Sequence, residues 1–73
     1  MKFIATRIHN ESIGCVFLYD TLSEALAKAE EIAVGTLNRE LYENELYDLE
    51  NAELVIESDH DNRYIVSIAA TED

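Results

Sequence analysis

The sequence predicts an α+β fold: a four-stranded, mostly antiparallel sheet in β-β-α-(α)-β-β order, with helices packed on one face. Three observations predict it. Two apolar segments near the N-terminus, and two more near the C-terminus, are each separated by a short polar turn. Between the pairs lies a stretch of helical periodicity opened by a capping-box pattern. The chain has only 73 residues, which makes one acidic domain over 1–73 and leaves no room for a second.

The first strand is expected over Lys2–His9, with Phe3, Ile4 and Ile8 as its apolar members and Asn10-Glu11 as the turn. The second runs over Ile13–Tyr19. Simple alternation puts Ile13, Cys15, Phe17 and Tyr19 on one face and Val16 and Leu18 on the other. Both faces are then apolar, which predicts a strand that is central or covered on both sides. The short gap between the two strands makes an antiparallel hairpin.

Thr21-Leu22-Ser23-Glu24 opens the helix: the Thr21 hydroxyl can accept from the third helical N–H while Glu24 reaches back to the cap. Leu22, Ala25, Leu26, Ala29, Ile32 and Ala33 recur on one stripe, and the alanines allow close packing on a sheet. Gly35 is the expected terminator, able to take the left-handed conformation.

From Thr36 to Ala52 one straight helix does not fit. Leu37 and Leu41 define one apolar direction, whereas Tyr42, Leu46 and Leu49 define another, which would bury Glu45 and Asp48. A break near Glu43-Asn44, with Asn44 capping a second piece, removes the conflict and predicts two short helices. The near-repeat Glu40-Leu41-Tyr42 and Glu45-Leu46-Tyr47 has a five-residue period that matches no regular element. The last two strands are expected over Glu53–Ser58 and Arg63–Ala70, joined by the turn Asp59-His60-Asp61-Asn62, with Thr71-Glu72-Asp73 as a frayed tail.

Composition bounds the function. Five Lys and Arg stand against sixteen Asp and Glu, for a net charge of −11. Direct binding to nucleic acid or to anionic membranes needs clustered cations and is excluded on that ground. No apolar run approaches the roughly 20 residues that span a bilayer, and the start lacks a signal-peptide core. Cys15 is alone, so no internal disulfide forms, and a cytoplasmic location in a bacterial host cell is expected. Asp59-His60-Asp61 reads as a solvated turn, because adjacent residues in a tight turn cannot converge on one ion. His9 reads as the polar end of a strand. No nucleophile motif or phosphate loop is present, so no enzyme, cofactor or metal is expected.

The feature left to explain is the run from Glu40 to Asp61. It holds nine carboxylates and no cation: Glu40, Glu43, Glu45, Asp48, Glu50, Glu53, Glu57, Asp59 and Asp61. Like charges this close repel, at a cost to the folded state. Tyr42 and Tyr47 lie among them, and aromatics beside charge are an interface composition. Packing of either tyrosine on the sheet is the competing reading, as simple solvation is for the charges. As a site, the run and its tyrosines would bind a basic protein surface. Carboxylates on a folded scaffold can occupy the cationic groove of a nucleic-acid-binding protein, since a duplex carries one negative charge per roughly 1.7 Å of axis.

A small acidic domain with such a cluster and no catalytic motif resembles the phage-encoded inhibitors of host defence, the anti-CRISPR proteins and anti-restriction DNA mimics. The resemblance rests on size, charge and the Glu40–Asp61 cluster. It implies an inhibitor that binds a Cas complex or other nuclease where nucleic acid would lie. Separately, Asp20-Thr21-Leu22-Ser23-Glu24-Ala25-Leu26-Ala27-Lys28-Ala29 is similar to the strand-to-helix junction of HicB-type antitoxins, which implies neutralisation of a small basic toxin or RNase. Only two strands precede the helix here, and the family's Gly- and Pro-containing segment is missing. The sheet's two edges leave a monomer or a homodimer open.

Overall fold

The computed structural model describes residues 1–59 and 62–71. Six elements follow in order: β1 (Phe3–His9), β2 (Ser12–Tyr19), α1 (Leu22–Leu37), α2 (Glu43–Asn51), β3 (Glu53–Asp59) and β4 (Asn62–Ala70). The predicted α+β class and element order hold. The sheet runs β2-β1-β4-β3 and every neighbouring pair is antiparallel. Each hairpin therefore contributes one central and one edge strand.

The β1–β2 turn forms where expected, with Asn10 and Glu11 both at positive φ, 47° and 70°. That is the backbone a two-residue hairpin needs to match strand twist. Asn10 also ties the two hairpins together: its N–H donates to the Arg63 carbonyl at 2.9 Å and its side-chain oxygen accepts the Arg63 N–H at 3.0 Å. At the other end of the sheet the Thr71 N–H donates to the Lys2 carbonyl and the Lys2 N–H to the Thr71 hydroxyl, both at 2.9 Å. Thr71 is thus tied down, where a frayed tail was expected; Glu72 and Asp73, the rest of that tail, lie outside the described residues.

Two expectations for β2 are corrected. It is an edge strand, not a central one. A bulge at Gly14, between the pairs Arg7–Cys15 and Ile8–Ile13, turns Ile13 onto the face of Val16 and Leu18. An inserted residue reverses the alternation upstream of it, because side chains swap faces with every step.

The α1 cap is close to that predicted. Thr21 accepts the Glu24 N–H at 3.2 Å, but the Glu24 carboxylate takes the Thr21 hydroxyl proton at 2.9 Å instead of the backbone N–H. Gly35 does not end the helix. It continues to Leu37, which packs against the core, and Asn38 takes the left-handed position at φ 59°, its N–H donating to the Val34 carbonyl. Of the two short helices expected between Thr36 and Ala52 only the second forms: α1 runs on to Leu37, the chain is non-helical over 38–42, and α2 begins at Glu43, with Asn44 inside its first turn instead of capping it.

Both helices cover one face of the sheet. Ala25, Ala29 and Ala33 are fully buried at successive turns of α1, and Ala29 and Ala33 join Ala5, Leu49, Leu54, Ile56 and Val66 in one core. Alanine lets the helix approach closely but fills little volume: the large side chains buried to completion are Leu49 and Val66. Leu22, expected on the buried stripe, is 53% exposed.

Candidate protein-binding surface

The N-terminus of α2 is organised by one carboxylate. Glu45 stands three residues after Tyr42, where its Oε1 accepts the Tyr42 N–H at 2.8 Å and satisfies one of the helix's open donors. Arg39, upstream in the linker, donates to both Glu45 oxygens at 2.8 and 2.9 Å and to the Glu40 carbonyl at 3.0 Å. The same guanidinium lies 4.1 Å from the centre of the Tyr42 ring. Arg39 first, and the Tyr42 N–H second, hold the Glu45 carboxyl below the usual carboxylate range. The Glu45 side chain is 15% exposed and taken up by the cap and the bidentate ion pair, whereas Asp48, the other carboxylate of the expected conflict, is exposed, as the break between the helices allows.

The other helical-layer carboxylates of the run, Glu40, Glu43, Asp48 and Glu50, are exposed. On the α2 wheel Tyr47 falls between Glu43, four residues before it, and Glu50, three after. Tyr47 is 66% exposed and Tyr42 61%, so neither packs on the sheet as the competing reading required. Leu46 and Leu49 point the other way, Leu49 to complete burial.

The run does not stay on one face. Leu54 and Ile56 enter the core from β3, so Glu53 and Glu57 project from the opposite side of the sheet, paired across the ladder with Ser67 and Arg63. Since α2 packs against β3, the exposed carboxylates straddle the β3 edge: Glu43, Asp48 and Glu50 above it, Glu53 and Glu57 below. Asp59 ends β3, while His60 and Asp61, the tip of the expected turn, lie outside the described residues. Of the two cations that flank the run in sequence, Arg39 is committed to Glu45, and among the described residues Glu43, Asp48 and Glu50 of α2 form no ion pair.

Sequence reasoning missed a second surface, the sheet face away from the helices. The ladder places Ile4 beside Leu18, Thr6 beside Val16, Ile8 beside Ile13 and Ile65, and Val55 beside Ile65 on that face. Ile13, Val16 and Leu18 are 68%, 58% and 59% exposed. The signal was the double-sided apolarity of β2, which implies cover on both faces, whereas here the helices cover one.

On the helix side, past the end of α1, a polar cluster closes the sheet. His9 Nε2 lies 2.8 Å from Asn62 Oδ1 and the ring stacks on Tyr64 at 4.4 Å between centroids. Arg7 donates to the Thr36 hydroxyl at 3.3 Å and its guanidinium carbon lies 5.5 Å from the centre of the Tyr64 ring. It supplies a cation near the C-terminal end of α1, where the helix dipole favours one and the last turn carries none. These contacts are structural ties between sheet and helix. Among the described residues no group of His, Cys, Asp and Glu is arranged to hold a metal ion.

Set against family models, curated proteins and solved structures, the chain finds no match in any of the three comparisons.

Proposed function

We propose that this domain is a protein-binding module whose acidic border along α2 and the β3 edge engages a basic, nucleic-acid-binding surface of another protein, acting as an inhibitor of a host-defence nuclease in the manner of an anti-CRISPR protein. The observation that carries this reading is Tyr47, exposed between Glu43 and Glu50 on a helix whose neighbouring cation is already spent on Glu45. A solvated acidic helix has no use for an exposed aromatic there, whereas a tyrosine amid charge gives an interface its anchor.

The shape fits the role. The nine residues of α2 span roughly 13 Å, and carboxylates on both sides of the β3 edge would present an acidic border to a cationic groove. Such complementarity steers the encounter and weakens with salt.

The test is DNA binding by a panel of CRISPR effector complexes and restriction endonucleases, measured at low and high salt with and without this protein. Displacement of DNA at low salt, weaker at high salt and lost in E40K/E43K/D48K, is the expected result. Undisturbed DNA binding across the panel at low salt would sink the reading.

A further inference from the structure

We infer that the open face of the sheet is the interface of a two-fold homodimer, its occupant a second copy of this chain. The inference does not rest on α2 or its tyrosines; Glu53 and Glu57, the part of the acidic border carried by β3, stand at the rim of this same face.

The distribution of side chains is the first argument. Ile4, Ile8, Ile13, Val16, Leu18 and Ile65 lie on the open face, while four of the eight buried apolar residues on the helix side are alanines. β-Branched residues are the ones that pack best across a pleated surface, and here the helices do not cover them.

The second argument is area. Four strands about 4.8 Å apart and seven residues long give a flat footprint of roughly 440 Å² per copy, and the pleated accessible surface is larger. Two flat footprints come to about 880 Å², and the pleated accessible surface brings the total to the order of the ~1,000 Å² that separates specific interfaces from incidental contacts. Face-to-face packing of two sheets about 10 Å apart is an established arrangement for such surfaces.

Charge selects the occupant. The centre of the face carries no ionisable side chain; its two polar groups, Thr6 and Ser67, bond each other at 3.1 Å and need no outside partner. Among the described residues the charge of this face stands at its border: the Lys2–Asp20 ion pair at one end, Glu11 and Arg63 at the other, and Glu53 and Glu57 along β3. An apolar centre in a polar rim is interface anatomy. A basic partner has nothing to gain from this centre. A second copy presents the same charge-free surface, and the two-fold leaves both acidic helical layers outermost, separated by two sheets and screened beyond a Debye length of about 8 Å.

Sedimentation equilibrium across micromolar concentrations tests the inference, with Ser67→Lys as the decisive variant. Ser67 lies on a central strand, so a lysine there leaves both sheet edges untouched, and its neighbour across the ladder is Glu53, which accommodates the charge in a monomer. The expected result is twice the 8.3 kDa chain mass for the native protein, and a dimer dissociation constant raised roughly a hundredfold by S67K with an unchanged circular dichroism spectrum. Should S67K fail to fold, Val16→Lys, at a position 58% exposed, is read in the same way. A native protein that stays monomeric, or a dimer that both lysine variants leave intact, would overturn the inference, the second outcome pointing to a different surface.

Discussion

The Arg39 guanidinium grips both oxygens of the Glu45 carboxylate, at 2.8 and 2.9 Å, across the linker between the two helices. One contact thereby does three things. It fixes where α2 starts, because the same carboxylate accepts the Tyr42 N–H. It gives the Glu45 carboxylate, whose side chain is 15% exposed, a cation for a partner. It also withdraws the cation flanking the acidic run, so the exposed carboxylates of α2 keep their full field.

Replacing that carboxylate tests the first two roles. Glu45→Gln keeps the shape but loses the charge, and is expected to cost about 1 kcal/mol at neutral pH. The pH dependence has a definite sign. The Glu45 carboxyl is held below its ordinary value of 4.5, so its contribution is complete above that pH and is lost as pH falls through the lower, folded-state value. The gap between native protein and E45Q, read from urea unfolding, should be constant above about pH 5 and close at more acidic pH. A gap that does not narrow on acidification would mean that the ion pair contributes nothing.

Gly35 is a helix-interior residue with open space around it: a side-chain carbon built there meets nothing within 4 Å. Its φ is not positive, so glycine is not needed for the backbone. Gly35→Ala should therefore stabilise the domain by about 0.5–1 kcal/mol, visible as a rise in Tm of a few degrees. A fall in Tm would mean that the helix must end or bend at this position, as sequence reasoning first suggests.

These two sites show what was legible in the sequence. Signals confined to neighbours were readable: Thr21 and Glu24 mark the start of α1, and Asn10-Glu11 marks the hairpin. The end of α1 was not, because Gly35 is the better left-handed residue locally and the choice of Asn38 follows from Leu37 reaching the core. The conflict at Glu45 was visible in the helical period. Its resolution was hidden, since Arg39 lies six residues away across a non-helical linker. Ile13 was misplaced because alternation cannot register the extra residue at Gly14. The carboxylates of the acidic run could be counted, but their division across the β3 edge depended on which way β3 faces.

The hairpin turn carries a local cost of its own. Asn10 suits positive φ, whereas Glu11, at φ 70°, bears a side chain that crowds the backbone there. Glu11→Gly should relieve about 1 kcal/mol, since Asn-Gly is the preferred pair for this turn. Urea unfolding measures the gain. No gain, or a loss, would indicate that the Glu11 side chain makes a compensating contact at the rim of the open sheet face.

The exposed carboxylates oppose folding even as they supply the proposed binding surface, and the two effects separate by salt. At about 0.01 M ionic strength charges interact over roughly 30 Å, about the size of the whole molecule; at 0.15 M the range falls to about 8 Å. A domain of net charge −11 should therefore gain stability as salt is added, the reverse of a protein held together by surface ion pairs. E40K/E43K/D48K removes part of the repulsion, so it should unfold at higher urea than the native protein at low salt and show a smaller response to added salt. Those three residues are exposed and form no ion pair among the described residues, so little structural loss competes with the gain. If the triple variant is instead less stable at low salt, the carboxylates hold the fold through contacts of their own, and the case for a surface kept acidic for a partner falls with it.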